Sequence, residues 1–212
     1  MANHAAFAPS GASTWMNCPA VIRWASKFYR KPSGPAALEG TALHEEAAAC
    51  LIKGKYATNP KFRSYVATVL NKRRDIGGDL WVEEKVKVPK VEKLVWGTLD
   101  AAIITKKEVW VYDYKSGRNP VSPTENKQLL TYAAGLPRRS KTYLAICQRH
   151  EPPKVWHTDS ERVAIHHEQI LAAVKVSISD PLYAIPGKWC EYCRAKMFCP
   201  GFLRKQPMEV KP

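Results

Sequence analysis

The sequence predicts an α/β fold in which a mixed central β-sheet is flanked by helices. Segments with helical spacing of apolar residues stand on both sides of a central block that is rich in β-branched and aromatic residues. A further strand-like segment follows the next helical one, so the expected order is helix, three strands, helix, strand, helix. The 212-residue length and the 45% apolar content suit a single domain spanning residues 1–212.

The helices are predicted from periodicity, capping residues and breakers. Ser10 is a suitable N-cap for a short helix running toward Phe28, and the segment KPSGP at residues 31–35 then breaks the chain. Gly77 and Gly78 end the second long helical segment. The longer helices are expected at residues 37–52, 60–74, 124–134 and 162–178.

The strands are predicted from alternation and from β-branched or aromatic runs. They are expected at residues 81–88, 94–104, 109–114 and 142–147, with a short edge strand at 155–157. The segment TKKE at residues 105–108 has the composition of a hairpin turn. The first three strands should therefore form an antiparallel meander.

The charge balance favours a polyanionic partner. Thirty-three Lys and Arg residues against 19 Asp and Glu residues leave a net charge of +14, which favours binding through counterion release and electrostatic steering. This charge alone does not distinguish DNA, RNA and an anionic membrane. No apolar run reaches the roughly 18 residues that span a bilayer, and the first ten residues lack the features of a secretory signal. We therefore expect a cytoplasmic protein without a membrane partner.

Candidate catalytic residues lie on two adjacent predicted strands. Asp100 stands among apolar residues, and Asp113 and Lys115, two positions apart, should share one face of the next strand. Buried carboxylates are costly unless they are compensated, and a hard cation such as Mg²⁺ prefers carboxylate ligands. The pattern thus indicates a cation site with an ammonium beside it, suited to phosphodiester hydrolysis. The alternative is an ordinary salt bridge between Asp113 and Lys115.

These residues also carry a resemblance to a known family. Asp100 and the Asp-Tyr-Lys segment at 113–115, together with GTALHEE at 40–46 and Gln-Leu-Leu-Thr-Tyr at 128–132, resemble successive motifs of the RecB-like branch of the PD-(D/E)XK nucleases. The resemblance implies a restriction-endonuclease-like core over residues 36–180 that hydrolyses DNA with Mg²⁺ or Mn²⁺. Position 113 carries Asp where Glu is also allowed.

The resemblance further implies a role for each matched residue. The metal ligands would be His44, Asp100, Asp113 and the backbone carbonyl of Tyr114. Lys115 would be the catalytic lysine. Gln128 and Tyr132 would lie beside the site and contact DNA, although the same pair occurs on any amphipathic helix.

The cysteines form a second candidate site. Cys18 near the start and the C-terminal series Cys190, Cys193 and Cys199 resemble the iron–sulfur staple of RecB-like nucleases, seen in AddB and in CRISPR adaptation nucleases. The resemblance implies a [4Fe–4S] cluster in a lobe formed by residues 10–30 and 185–203. Four thiolates also suit structural Zn²⁺, which is the alternative. The remaining cysteines, Cys50 and Cys147, lie in apolar runs and should pack as small hydrophobic residues.

Cations and aromatic residues alternate around the last three cysteines. They would either line a DNA path or shield the cluster. They are Lys188, Trp189, Tyr192, Arg194, Lys196 and Phe198.

The function expected from these observations is that of a phage or recombination DNA exonuclease. A phage-encoded protein would act in the host cytoplasm. No phosphate-binding loop of a motor ATPase is present, so a helicase, recombinase or annealing protein would be a separate partner. The alternatives are a nuclease that trims DNA for CRISPR adaptation and a non-catalytic nucleic-acid-binding module that keeps the fold.

Overall fold

The computed structural model describes residues 5–29, 32, 34–149, 151–191 and 193–211. Part of the predicted break at residues 31–35 and the aromatic residue Tyr192 lie outside these residues. At the centre is a five-stranded sheet with the order β1-β2-β3-β4-β5. The strands are β1 (Asp79–Lys87), β2 (Trp96–Ile104), β3 (Glu108–Lys115), β4 (Lys141–Gln148) and β5 (Lys154–Asp159).

The sheet is mixed. The pairs β1–β2, β2–β3 and β4–β5 are antiparallel, whereas β3 and β4 are parallel. Thr105 stabilises the hairpin between β2 and β3, because its hydroxyl oxygen accepts hydrogen bonds from the backbone N–H groups of Lys107 and Glu108. The predicted antiparallel meander, the hairpin turn and the edge strand are confirmed.

A parallel pair of strands needs a crossover connection, and a helix provides it here. This helix, α5 (Lys127–Gly135), begins after Asn126, whose side chain accepts a hydrogen bond from the backbone of Leu129. The next helix, α6 (Ser160–Ile178), begins after Asp159, which caps Arg162 in the same way.

Helices cover both faces of the sheet, as the sequence predicts. On one face, α3 (Pro35–Ile52) and α4 (Arg63–Ile76) bury residues such as Leu43 and Val66 against Tyr112 and other strand residues. We call it the α3–α4 face. Pro35 occupies the first turn of α3, where its missing N–H costs no hydrogen bond. The helical spacing of Leu38, Leu43, Ala47 and Leu51 predicts that they share one buried side, but Leu38 is 62% exposed.

The opposite face, which we call the α5–α6 face, packs against α5, α6 and the N-terminal segment. Its core includes Leu129, Ile170 and the T-shaped pair of Phe7 and Trp15. Within the part of the chain that the structure describes, no helix combines the length and the apolar character needed to cross a membrane.

The N-terminal segment corrects one prediction. Residues 10–28 do not form a single helix but two short ones, α1 (Ala12–Trp15) and α2 (Ala20–Arg23), flanked by 3₁₀ turns. Pro19 lies between them and disfavours helical backbone in the preceding residue. Ser10 is also not an N-cap, because it lies within the first 3₁₀ turn.

Three short C-terminal elements were not predicted. They are β6 (Leu182–Ala184), α7 (Pro200–Arg204) and β7 (Met208–Val210), and the two strands pair antiparallel as a small separate sheet. Three-residue strands are too short to show alternation. Their buried side chains pack with Cys18 and Ala20, so the N-terminal segment contacts the C-terminal one.

Candidate active site

The site lies where β1 and β2 change the face of the sheet to which their side chains point. In β2, Leu99 packs on the α5–α6 face, whereas Ala101 and Ile103 pack on the α3–α4 face. A regular strand would place all three on one face. The change occurs at Asp100. In the neighbouring strand, Glu83 has a positive φ of 53° at the corresponding position of the register.

Asp100 makes contacts with two other elements. One carboxylate oxygen lies 3.3 Å from Nδ1 of His44 on α3, and the other accepts a hydrogen bond of 2.7 Å from the backbone N–H of Tyr114 on β3. The His44 ring also lies 5.1 Å from the Tyr114 ring, centroid to centroid. The structure thus brings His44, Asp100 and the backbone of Tyr114 together.

Asp113 and Lys115 lie on the same face of β3, and their side chains are in contact. Lys115 Nζ is 2.7 Å from Asp113 Oδ2. Gln128 on α5 joins both: its Nε2 donates to Asp113 Oδ1 at 2.7 Å, and its Oε1 accepts from Lys115 Nζ at 3.0 Å. Asp113 is only 3% exposed, so its carboxylate is held in place by a lysine and an amide inside the protein.

Glu83 is a candidate ligand that the sequence reasoning missed. Among the described residues, the side chains of His44, Glu83 and Asp100 form a group whose possible ligand atoms all lie within 4.8 Å of one another. Alternation along β1 gives Glu83 no more prominence than its neighbour Glu84. The positive φ at Glu83 marks the distortion of β1 at this point, and no motif in the sequence signals that distortion.

Burial and the negative charge concentrated here shift several pKa values. Burial, followed by the charge of Asp100, raises the pKa of Asp113 to about 6, although Lys115 opposes the shift. Burial and Asp100 also raise the pKa of Glu83. Burial acts to lower the pKa of His44, but its hydrogen bond to Asp100 and the surrounding carboxylates raise it overall. The site therefore holds more negative charge than its own cations compensate.

This donor set fits a divalent cation. Carboxylate oxygens suit Mg²⁺ and Mn²⁺, and an imidazole is more favourable for Mn²⁺. The group of three includes the predicted ligands His44 and Asp100. The ligand roles of Asp113 and of the Tyr114 carbonyl remain predictions, since Asp113 is engaged with Lys115 and Gln128.

The two residues expected to contact DNA have different positions. Gln128 is partly exposed and is hydrogen-bonded to Asp113 and Lys115, as described above. Tyr132 is 6% exposed, and its hydroxyl donates a 2.6 Å hydrogen bond to the carbonyl of Thr98 on β2. In this structure Tyr132 supports the strand that carries Asp100, and its contact with DNA remains a prediction.

The four candidate cluster cysteines line one cavity between the chain ends. Trp24 and Trp189 are among the other residues that line it. The backbone N–H of Ile185 donates to the sulfur of Cys18. Burial is the main cause that raises the pKa values of the Cys18 and Cys193 thiols. Cys147 is buried in the core on the α3–α4 face, and Cys50 is partly buried against the same core.

Most of the cations and aromatic residues near this cavity are engaged in contacts with other side chains or backbone groups of the chain. Arg194 donates to the carbonyl of Ser26 at 3.2 Å, and Lys196 lies over the ring of Phe202. Phe198 stacks on Phe28. Of these three residues, Lys196 also lines the cysteine cavity, which fits a role in covering the cysteines.

Two solved structures show similarity to this chain. SSO0001 is 17% identical, with 90% of this chain and 85% of that chain covered and a TM-score of 0.47. An alkaline exonuclease (LHK-Exo) from Laribacter hongkongensis is 9% identical, with 79% and 91% covered and a TM-score of 0.37. Neither similarity is close enough to assign an activity.

A family model matches residues 4–61 and 55–210. The matched ranges include every residue of the candidate metal site and all four candidate cluster cysteines. Because they extend over nearly the whole sequence, the chain belongs to the family described as protein of unknown function (DUF2800).

Proposed function

We propose that this protein is a divalent-cation-dependent deoxyribonuclease with a restriction-endonuclease-like core, acting as an exonuclease in phage or recombination DNA processing. One observation carries the proposal: His44, Glu83 and Asp100 converge beside a buried Asp113 that is paired with Lys115. An isolated strand-end salt bridge would not require an imidazole and two further carboxylates next to it. Phosphodiester hydrolysis uses such a set.

Each residue has a definable role in this proposal. A divalent cation held by His44, Asp100 and neighbouring carboxylates would polarise the phosphate and lower the pKa of a bound water. Lys115 provides a fixed ammonium that orients the attacking water or stabilises the charge developing on the phosphate. The backbone N–H of Tyr114 fixes the orientation of Asp100, and Gln128 fixes Asp113 relative to Lys115.

Charge supports a polyanionic substrate, and the choice of DNA rests on the resemblance to the RecB-like nucleases. A net charge of +14 supplies the general attraction to a polyanion that sequence-independent cleavage needs. A helicase, recombinase or annealing protein would act as a separate partner.

The proposal is tested by incubating the purified protein with end-labelled single- and double-stranded DNA in Mg²⁺, in Mn²⁺ and in a chelator. We expect cleavage only with a divalent cation. Asp113→Asn and Lys115→Ala should each lower the rate by several orders of magnitude, because each removes several kcal/mol of transition-state stabilisation. Asp75→Asn, at an exposed salt bridge with Arg74, is the control and should cleave like the wild type.

Two results would contradict the proposal. Full activity in either site variant would show that the site is assigned wrongly. DNA binding without cleavage under any condition would make the chain a non-catalytic binding module.

We further propose that Cys18, Cys190, Cys193 and Cys199 bind a [4Fe–4S] cluster. The support is their common cavity between the two chain ends. Four thiolates would also suit tetrahedral Zn²⁺ at a Zn–S distance of about 2.3 Å, which is the alternative.

A further inference from the structure

A cleft of about 690 Å³ lies between the start of α5 and the chain ends. Gln128 forms part of its wall and is hydrogen-bonded to both Asp113 and Lys115. Gln128 therefore lies between the cleft and the Asp113–Lys115 pair of the candidate active site. Its opposite wall includes Lys188 and Trp189, next to the cysteine cavity.

Two lysines give this cleft its positive charge. Lys127 is partly buried, and its Nζ donates to the side-chain oxygen of Asn17 at 3.0 Å. Burial, and then the charge of Lys188, lower the pKa of Lys127, so the two ammonium groups are close enough to repel one another. Over the described ranges, neither lysine forms a salt bridge with a carboxylate. An anion between them would relieve this repulsion.

The acidic groups on the wall cancel the positive charge only in part, because one of the two is already paired with an arginine. Glu125 is engaged by Arg162, whose Nε donates to its two carboxylate oxygens at 2.9 and 3.1 Å. Glu191 is exposed, and no salt bridge joins it to either lysine within the described chain. Ser13, Thr14 and Asn17 add hydroxyl and amide groups to the wall, which are groups that commonly contact phosphate oxygens.

We propose that this cleft binds the phosphodiester backbone of a DNA strand, with Lys127 and Lys188 contacting a phosphate next to the one that is cleaved. The inference rests on the proposed nuclease function, because Gln128 in the wall of the cleft is hydrogen-bonded to Lys115. Trp189 on the same wall provides a ring on which an unpaired base can stack. A single strand is therefore the expected occupant.

The test measures the affinity of the full chain for a fluorescent single-stranded oligonucleotide, in chelator so that no cleavage occurs. Lys127→Gln/Lys188→Gln should raise Kd about tenfold and reduce the slope of log K against log salt by roughly 1.4, because each lysine that neutralises a phosphate of a single strand contributes about 0.7. Lys106→Gln/Lys107→Gln removes the same charge from the hairpin at the opposite end of β3 and should change Kd less than about twofold.

Two further variants make the result specific. Lys127→Arg/Lys188→Arg keeps the charge and should bind like the wild type. If the double glutamine variant does not fold, the exposed Lys188→Gln alone should still raise Kd about threefold. Equal weakening in the cleft and hairpin variants, or unchanged affinity in the cleft variants, would overturn the inference. Absence of binding by the wild-type protein would overturn it as well.

Failure of the proposed DNA-binding cleft can be distinguished from failure of the proposed nuclease function. If the cleft variants lose affinity but the wild type cleaves nothing with any cation, the cleft remains a nucleic-acid site and the nuclease proposal fails. If the wild type cleaves DNA and the cleft variants bind normally, the nuclease proposal holds and the strand follows another path.

Discussion

At the scale of single residues, the site consists of side chains that fix one another's positions. The carboxylate of Asp113 is buried and contacts both an ammonium and an amide. Asp100 is held by a backbone N–H and by His44. Burying these charges is costly on its own, and the surrounding contacts offset part of that cost; the proposed cation would offset more.

Gln128 is expected to act as a positioning residue for the catalytic pair. Gln128→Met keeps the length of the side chain but removes its hydrogen bonds to Asp113 and Lys115. Hydrogen bonds to charged groups contribute about 1.5 to 3 kcal/mol each to stability, so Tm should fall, and kcat measured well below Tm should fall about 10- to 100-fold. Gln206→Met, at an exposed position near the C-terminus, is the control. An unchanged kcat would show that the catalytic pair holds its geometry without Gln128.

Glu83 and His44 are expected to contribute to cation binding. Glu83→Gln and His44→Ala should each raise the Kd for Mn²⁺ at least about tenfold in a calorimetric titration, and excess Mn²⁺ should partly restore activity to the His44 variant. Glu84→Gln removes the same charge one position further along β1 and should titrate like the wild type. If Glu83→Gln also titrates like the wild type, Glu83 is not a ligand.

At the scale of elements, the position of the site depends on the distortion shared by β1 and β2. Because their side chains change face at Glu83 and Asp100, Asp100 can reach His44 on the α3–α4 face, while Asp113 meets Gln128 on the α5–α6 face. In a regular sheet, the residues that contact the helices on one face would stay separate from those that contact the helices on the other face. The distortion therefore joins groups from both sides of the sheet into one site.

The contact between α5 and α6 makes stability depend on pH through His166. This buried residue lies 3.1 Å from the Thr131 hydroxyl, and burial, followed by the charge of Arg162, lowers its pKa to about 4. Between about pH 6.5 and 4 the unfolded chain binds a proton that the folded chain excludes, so stability falls as the pH falls through this window. The loss attributable to His166 is roughly 3 kcal/mol.

Urea unfolding at a series of pH values tests this dependence. His166→Gln should lose roughly 3 kcal/mol less than the wild type between pH 6.5 and 4. His157→Gln, at an exposed position on β5, controls for the loss of a histidine. Parallel curves for the wild type and His166→Gln would contradict the expectation.

At the scale of the whole molecule, the two ends of the chain pack together through Cys18, Ala20 and the short β6–β7 sheet. This contact joins residues far apart in sequence beside the α5–α6 face. Only a modest apolar cluster is buried there. A bound metal group would add a strong link at this point.

Protein purified without oxygen should be brown and contain about four iron atoms per chain. A cluster on the four cysteines would close a loop of about 170 residues. By analogy with a disulfide that closes a loop of this length, it would raise the free energy of the unfolded chain by about 5 kcal/mol. Replacing any one of the four by Ala should therefore lower Tm markedly, whereas Cys50→Ala should cost only ordinary packing energy. The proposed cation site uses none of these thiolates, so folded variants should keep the DNA cleavage proposed for the wild type.

Elemental analysis distinguishes the alternatives for the cysteine site. One zinc atom without iron would make it a zinc site. If anaerobically prepared protein contained neither metal, the four cysteines would have no shared ligand.

The sequence by itself determined the local and periodic features. The central strands, the long helices and the same-face placement of Asp113 and Lys115 follow from alternation, capping and β-branched composition, which act over a few neighbouring residues. The sequence also contains the reason why the predicted N-terminal helix is interrupted, because Pro19 disfavours helical backbone at Cys18.

Only the tertiary structure decided which of these residues meet. Glu83 joins His44 and Asp100 because two paired strands are distorted at the same register position, and Lys127 faces Lys188 because a C-terminal loop packs beside α5. The three-residue strands β6 and β7 likewise form only as partners of each other. Such features depend on contacts between residues distant in sequence, and no local pattern along the chain specifies them.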